Sequence, residues 1–226
     1  MPTSAFLRRY HRLIPYSCGS SPGNSPSHLA AARELAESFH KHNIKLIFGG
    51  GTKGIMGEVA KSLVALAGPE SVVGIIPEPL LGYERNYTTN GVKKDPQELI
   101  DQNTYGHTTV VPSMHVRKQL MARHVASGGP GSGFVALSGG YGTMEELMEM
   151  TTWNQLGIHK LPIVLYSVDD YWSGLLQWVD KAIESGFVSE GNRGIIAEGK
   201  SAEEVVERLR DYKVAEGRFK LQWDQQ

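Results

Sequence analysis

The sequence predicts an α/β protein: a parallel sheet of about six to seven strands with helices on both faces. Two observations carry this. Short apolar runs alternate with helix-period segments about six times along the chain, the signature of repeated strand–helix–strand units. Two glycine clusters each follow a strand immediately, where the turns of such a sheet gather at its carboxyl edge. The 226 residues suit one domain, 1–226, ending in a polar tail over 213–226 that is expected to fray.

The elements follow in order. Leu13–Ser17 is a first strand weakened by Pro15, which removes a ladder donor. Ser20–Ser27 is a loop. A helix spans Pro26–His42, with Leu29, Ala32, Leu35, Ala36 and Phe39 on one face, Pro26 in its first turn and Ser25 as N-cap. Ile44–Phe48 is the second strand, and the following helix carries Ile55, Val59, Leu63 and Leu66. Val72–Ile76 is the third strand. Residues 78–107 form the longest irregular stretch, with one short helix near Pro96–Ile100, and such a stretch usually serves as a lid or binding loop. Thr108–Val111 is a strand, and a helix starts near Ser113. After the turn at Ser127–Gly133 come a strand at Phe134–Leu137, a helix over Thr143–Leu156 and a strand at Leu161–Tyr166. The helix Tyr171–Glu184 buries Trp172, Leu175, Leu176, Val179 and Ile183. Ile195–Ile196 makes a short last strand and Ala202–Tyr212 a last helix.

Composition narrows the function. Hydrophobic residues at 40% and charged ones at 21% describe an ordinary globular chain. Lys+Arg of 23 against Asp+Glu of 24 gives a formal charge of -1, which argues against a broad basic surface for nucleic acid or an anionic membrane. No apolar run approaches the roughly 20 residues needed to cross a bilayer, and the N-terminal residues lack the apolar core of a secretory signal. The single cysteine, Cys18, can form neither an internal disulfide nor a cysteine-rich zinc site, so a reducing, cytoplasmic setting is expected. The histidines show no metal spacing; no metal and no cofactor are expected.

Three motifs carry chemistry. Gly49-Gly50-Gly51-Thr52-Lys53-Gly54 fits G-x-G-x-x-G, but on the second strand rather than the first. It is either a tight strand-to-helix turn or a nest of N–H groups for an anion. Ser138-Gly139-Gly140-Tyr141-Gly142-Thr143 opens a helix and lets the chain pass close over a phosphate. Thr143-x-x-Glu146 also spells a capping box, in which Glu146 would only close its own helix end. Glu145 and Glu146 diverge by about 100° around a helix and should not share one target. Met114-His115-Val116-Arg117-Lys118 puts two cations in a first helical turn, against the dipole. That placement hints at an anionic partner; the plainer alternative is a solvated face.

These motifs, in this order and continued by EELMEMTTWNQLGIHKLPIVLYSVDDYW, resemble the LOG (LONELY GUY) family, the cytokinin riboside 5′-monophosphate phosphoribohydrolases often labelled "lysine decarboxylase-like". The resemblance covers roughly residues 13–200. It implies a Rossmann-like doubly wound sheet, a homodimer or a multiple of it, no pyridoxal phosphate, and hydrolysis of the N-glycosidic bond of N6-substituted AMP, with AMP itself a further substrate. It implies Arg117 and Glu146 as the catalytic pair. Gly139, Gly140, Gly142 and Thr143 would hold the 5′-phosphate, with Ser20, Gly51, Glu84, Met114, Lys118 and Tyr141 around the nucleotide. Ser138, where the family usually has proline, Val116, Pro15 and a long stretch over 95–108 depart from the family pattern. The alternative from another class is a non-catalytic carrier of a nucleotide or of a molybdenum-cofactor-type ligand on the same fold.

Overall fold

The computed structural model describes residues 12–84, 88–89, 92–93 and 100–223. Seven strands form one parallel sheet: β1 (Arg12–Ser17), β2 (Ile44–Phe48), β3 (Val72–Pro77), β6 (His107–Val111), β7 (Phe134–Ala136), β8 (Ile163–Tyr166) and β9 (Ile196–Gly199). Their order is β6-β3-β2-β1-β7-β8-β9, with every pairing parallel. The chain builds outward from β1 through β2 and β3, then crosses back to lay β7 on the other side of β1. The order therefore reverses at β1, where an open α/β sheet leaves a crevice at its carboxyl edge. A separate antiparallel pair, β4 (Thr88–Thr89) and β5 (Val92–Lys93), stands apart from the sheet.

Strand alternation sends side chains to two faces, and each face has its own helices. Ile14, Leu46, Phe48 and Val164 pack with Leu35 and Phe39 of α1 (Ser27–Lys41), Leu63 of α2 (Gly54–Ala67) and Leu209 of α8 (Ala202–Arg210). Leu13, Ile47, Val73 and Ile75 pack with Met121 and Val125 of α5 (Met114–Ala126). Ala136, Ile163 and Leu165 meet Leu147 and Met150 of α6 (Tyr141–Gln155). The expected doubly covered parallel sheet is therefore present.

A cap fixes the start of α5, where Ser113 Oγ accepts from Val116 N–H at 3.3 Å. At α1 the expected cap is not made: the N-cap is Pro26, without a side-chain cap, and Ser25 Oγ only lies 3.4 Å from Ser27 N. At α6 the N-cap is Gly140, with no side-chain cap, and Thr143 lies inside the first turn. The capping box read in Thr143 and Glu146 is thus not made.

Several expectations are corrected. Pro15 does not weaken β1, which is the central strand. Leu13 N–H donates to Ser132 Oγ at 3.0 Å and Ser17 C=O accepts from Leu137 N–H at 3.0 Å, so the odd residues of β1 face β7. Pro15 shares that side, but β7 pairs only with Tyr16 and Ser17. The missing donor falls just before the ladder begins. The stretch 78–107 is not irregular at its start: α3 (Glu78–Glu84) follows β3 directly and α4 (Gln102–Tyr105) precedes β6. Pro79 sits in the first turn of α3, where its missing N–H is not needed. The helix expected near Pro96 lies mostly outside the described residues. Leu66 is 45% exposed. In α7 (Ser173–Glu184) only Ala182 is fully buried; Leu175, Leu176, Val179 and Ile183 are half-buried.

The tail also differs from expectation. Arg218 Nε donates to Asn154 C=O at 2.7 Å, Phe219 N–H to Gln155 C=O at 2.8 Å, and Trp223 Nε1 to Leu156 C=O at 3.0 Å. These are the carbonyls that the C-terminal turn of α6 leaves without intrahelical partners. A polar sequence with no helical period is thereby tied down over its described part, 213–223.

Candidate active site

A cleft of about 610 Å³ opens at the carboxyl edge of the sheet, over the reversal at β1. Its walls come from the turns after β1, β2 and β7 and from α3, α5 and α6. Ser20, Gly51, Glu84 and Met114 line it, with Arg117 and Glu146. So do Gly140, Tyr141, Gly142 and Thr143. Two predicted residues do not. Gly139 lies behind the loop, where an added Cβ would stand 2.1 Å from Thr143 Oγ1. Lys118 points away from the cleft, its ammonium bonded to Glu145 and, at 3.1 Å, to Glu149. Burial disfavours the charge on Lys118, but the two carboxylates outweigh it and raise its pKa.

Arg117 and Glu146 meet in this cleft. Arg117 Nη2 donates to Glu146 Oε1 at 2.6 Å, joining the first turn of α5 to the second turn of α6. Arg117 is only 7% exposed, so the solvated-face alternative does not hold for it. Its Nη1 rests 3.7 Å from Met114 Sδ, and its Nε is buried with no protein partner. A cation against the dipole of α5 is offset here by a carboxylate from the neighbouring helix. The first glycine of the GGGTKG turn explains itself in the same place. A Cβ on Gly49 would lie 2.4 Å from Arg117 Nη2 and 2.8 Å from Cζ, so only glycine leaves room for the guanidinium.

The rest of that turn is held from α3. Glu84 Oε2 accepts from Thr52 N–H at 2.7 Å and from Thr52 Oγ1 at 2.9 Å, and Lys53 Nζ donates to Tyr83 C=O. Glu84 therefore serves the turn while it lines the cleft.

At the start of α6 the first backbone bond is Met144 N–H to Gly140 C=O at 3.0 Å. Among the described residues, the N–H groups of Tyr141, Gly142 and Thr143 have no protein acceptor, as expected of a helix amino terminus. Added Cβ atoms on Gly140 and Gly142 would meet nothing within 4 Å. The fold does not need these glycines for close packing, and the space above them is open. Tyr141 stands fully outward, 98% exposed, at the mouth.

Glu145 also lines the cleft, which spacing alone had placed elsewhere. The two carboxylates still answer to different cations, Glu146 to Arg117 and Glu145 to Lys118. Cys18 forms part of the wall. Burial pushes its thiol well up, the nearby Glu146 charge adds to this, and hydrogen bonding with Tyr16 and the Arg117 charge oppose it. Leu80 and Tyr83 are lining residues that the sequence did not single out, and Gly49, read there only as part of the glycine turn, lines the cleft too. The available signal for Gly49 was its place beside a strand end; Leu80 and Tyr83 depended on an unrecognised helix. Among the described residues no cluster of His, Cys, Asp or Glu could hold a metal. None of their helices is long and apolar enough to cross a membrane.

Comparisons with known proteins bear on the family and the fold. Residues 56–209 match the family model described as "Possible lysine decarboxylase". The chain is 44% identical, over 94% of its length, to a bifunctional cytokinin biosynthesis protein of Fusarium pseudograminearum, and spans 42% of that protein. It is 41% identical to a cytokinin riboside 5′-monophosphate phosphoribohydrolase of Arabidopsis thaliana, over 86% of this chain and 81% of the relative. Among solved structures, the molybdenum cofactor carrier protein of Chlamydomonas reinhardtii aligns with a TM-score of 0.56 and 15% identity, over 88% of this chain and 96% of the other. At that identity the likeness shows the fold alone. With 41% identity to a phosphoribohydrolase over most of both chains, this protein belongs to the LOG family.

Proposed function

We propose that the cleft hydrolyses the N-glycosidic bond of nucleoside 5′-monophosphates, N6-substituted AMP and AMP itself, releasing the base and ribose 5-phosphate. The observation that carries this is the buried Arg117–Glu146 pair at 2.6 Å in the same cleft as the unbonded N–H groups of α6. A 5′-phosphate docks on those N–H groups, over Gly140 and Gly142, where the helix dipole favours an anion. Ser20 and Met114 flank the nucleotide.

The chemistry follows from the charges. As the bond from C1′ to the base breaks, its electron pair leaves with the base and positive charge builds on the ribose. Glu146 holds that charge electrostatically and accepts through Oε2 from a ribose hydroxyl or the attacking water. Water oxygen bonds to C1′ and keeps one proton; the other passes to the Glu146 carboxylate and from there to the departing base, which leaves the carboxylate ionised again. Arg117 fixes the carboxylate and supplies permanent positive charge beside the phosphate.

Incubation with AMP and with isopentenyladenosine monophosphate, followed by detection of free base and ribose 5-phosphate, tests this. Bound but uncleaved nucleotide would instead support a carrier. Monophosphates should be cleaved far better than ribosides, di- or triphosphates, because the nest fits one terminal phosphate and no Walker lysine follows. Comparable kcat/KM on adenosine and AMP would refute that. We also propose a homodimer, supported by the methionine-rich α6 and the family, with light scattering as its check. A cytoplasmic setting fits the single buried Cys18.

A further inference from the structure

The turn between β8 and α7 holds two consecutive residues in the left-handed region, Asp169 at φ 51° and Asp170 at φ 55°. Neither is glycine, so the turn is sterically costly and persists only if its surroundings hold it. They do. Asp169 Oδ2 accepts from Ser27 Oγ at 2.5 Å and Ser25 Oγ at 3.3 Å, both at the head of α1. Asp170 Oδ1 accepts from Lys200 Nζ at 2.8 Å, and Tyr171 N–H closes the turn on Val168 C=O at 3.1 Å.

What these ties place is the side chain of Tyr171. Its hydroxyl donates to Gly139 C=O. Its ring packs edge-on against His28, centroids 6.1 Å apart, and against Trp172 at 5.0 Å. His28 Nδ1 in turn lies 3.1 Å from Ser138 Oγ, and Gly19 N–H donates to Ser138 C=O at 2.9 Å. The two residues that lead into the glycine loop are therefore held by Tyr171 and His28, neither of which lines the cleft, and by Gly19, which does.

The orientation of one peptide group matters most. Across a planar trans peptide, C=O and N–H point in opposite directions. Holding Gly139 C=O toward Tyr171 turns Gly140 N–H away from it, to the side on which Gly140 lines the cleft. We propose that Tyr171 is a positioning residue for the anion nest: its hydroxyl sets the 139–140 peptide so that Gly140 N–H joins the free N–H groups of α6. This rests on the assignment of that nest to the 5′-phosphate. Tyr171 touches no reacting atom, and its effect is on binding of the phosphate-bearing end.

Tyr171→Phe keeps both ring contacts and removes only the hydroxyl. The variant is expected to raise KM for AMP about tenfold, the size of one lost hydrogen bond to the nest, while kcat stays within about twofold. Affinity for ribose 5-phosphate, measured as product inhibition, should fall by the same factor, and the melting temperature should hardly change. An unchanged KM and unchanged ribose 5-phosphate affinity would overturn the proposal, as would a loss confined to kcat. The wild-type protein measured in parallel separates the two levels. If it neither cleaves nor binds AMP, the nest is misassigned and this proposal falls with it. If it cleaves AMP and Tyr171→Phe matches it, only the role of Tyr171 fails.

Discussion

Replacing Glu146 by Gln removes one charge at nearly constant volume. In the native protein Oε1 lies 2.6 Å from Arg117 Nη2, with 14% and 8% of the two side chains exposed. So buried a pair is not screened as surface bridges are. Deleting one partner of such a pair outright costs about 3–5 kcal/mol, because a buried charge is left uncompensated. Gln still offers a carbonyl oxygen, so about 2 kcal/mol is the expected loss for this variant. In a chain of this size that lowers Tm by about 4–8 °C. Turnover should fall at least about 100-fold, equivalent to ~2.7 kcal/mol of barrier, because the developing positive charge on the ribose loses its counter-charge. AMP should still bind, since the N–H groups of α6 and the Arg117 guanidinium remain. The assay is one variant with three readings: release of adenine, thermal melting and AMP affinity. Near-normal turnover with a lowered Tm would make the pair purely structural. Turnover and binding lost together would assign Glu146 to holding the ribose rather than to the chemical step.

Gly49→Ala forces a Cβ to within 2.4 Å of Arg117 Nη2; about 1–3 kcal/mol of stability and most of the activity should be lost, read by denaturant unfolding and adenine release. Truncation after Tyr212 removes the Arg218, Phe219 and Trp223 bonds to the end of α6. It should cost about 3 kcal/mol in unfolding experiments yet leave KM for AMP near normal, because the cleft lies at the other end of that helix. Burial, aided by the Arg218 charge and opposed by the bond to Met150 C=O, lowers the pKa of His159 from 6.5 to about 4. The unfolded chain therefore takes up a proton between those values that the folded chain does not. Stability from this residue is complete above pH 6.5 and is lost as pH falls toward 4, by at most about 3 kcal/mol, and urea unfolding of His159→Gln should lack that slope.

The strands and long helices were legible because their apolar periods survive in the fold: Ile44–Phe48 is a strand of the same bounds, and α1 differs by about one residue at each end. The glycine motifs pointed to the cleft for the same reason, since their place after a strand fixes them at the carboxyl edge. What sequence could not give was direction. Lys118 neighbours Arg117 in the chain, yet the rotation of about 100° between consecutive helical residues separates a side chain facing the cleft from one facing Glu145 and Glu149. Thr143 and Glu146 have capping-box spacing, but the helix starts two residues earlier and Glu146 finds Arg117 instead. α3 was hidden because EPLLGYE combines Pro79 and Gly82 in seven residues with little period. The tail was hidden because its order comes from backbone carbonyls more than 50 residues away, which no local pattern encodes.

Gly49 is not one of the glycines held at positive φ; its lack of a side chain answers to Arg117 alone among its near neighbours. The two positions are therefore bound together in sequence drift, although 68 residues separate them. A lineage that shortens the arginine frees the glycine to change, whereas a lineage that first acquires even alanine at the glycine must move or lose the guanidinium. Across many relatives the pair should vary as one character. A side chain at the position of Gly49 then marks, from sequence alone, a member whose cleft no longer holds this arginine in its present pose.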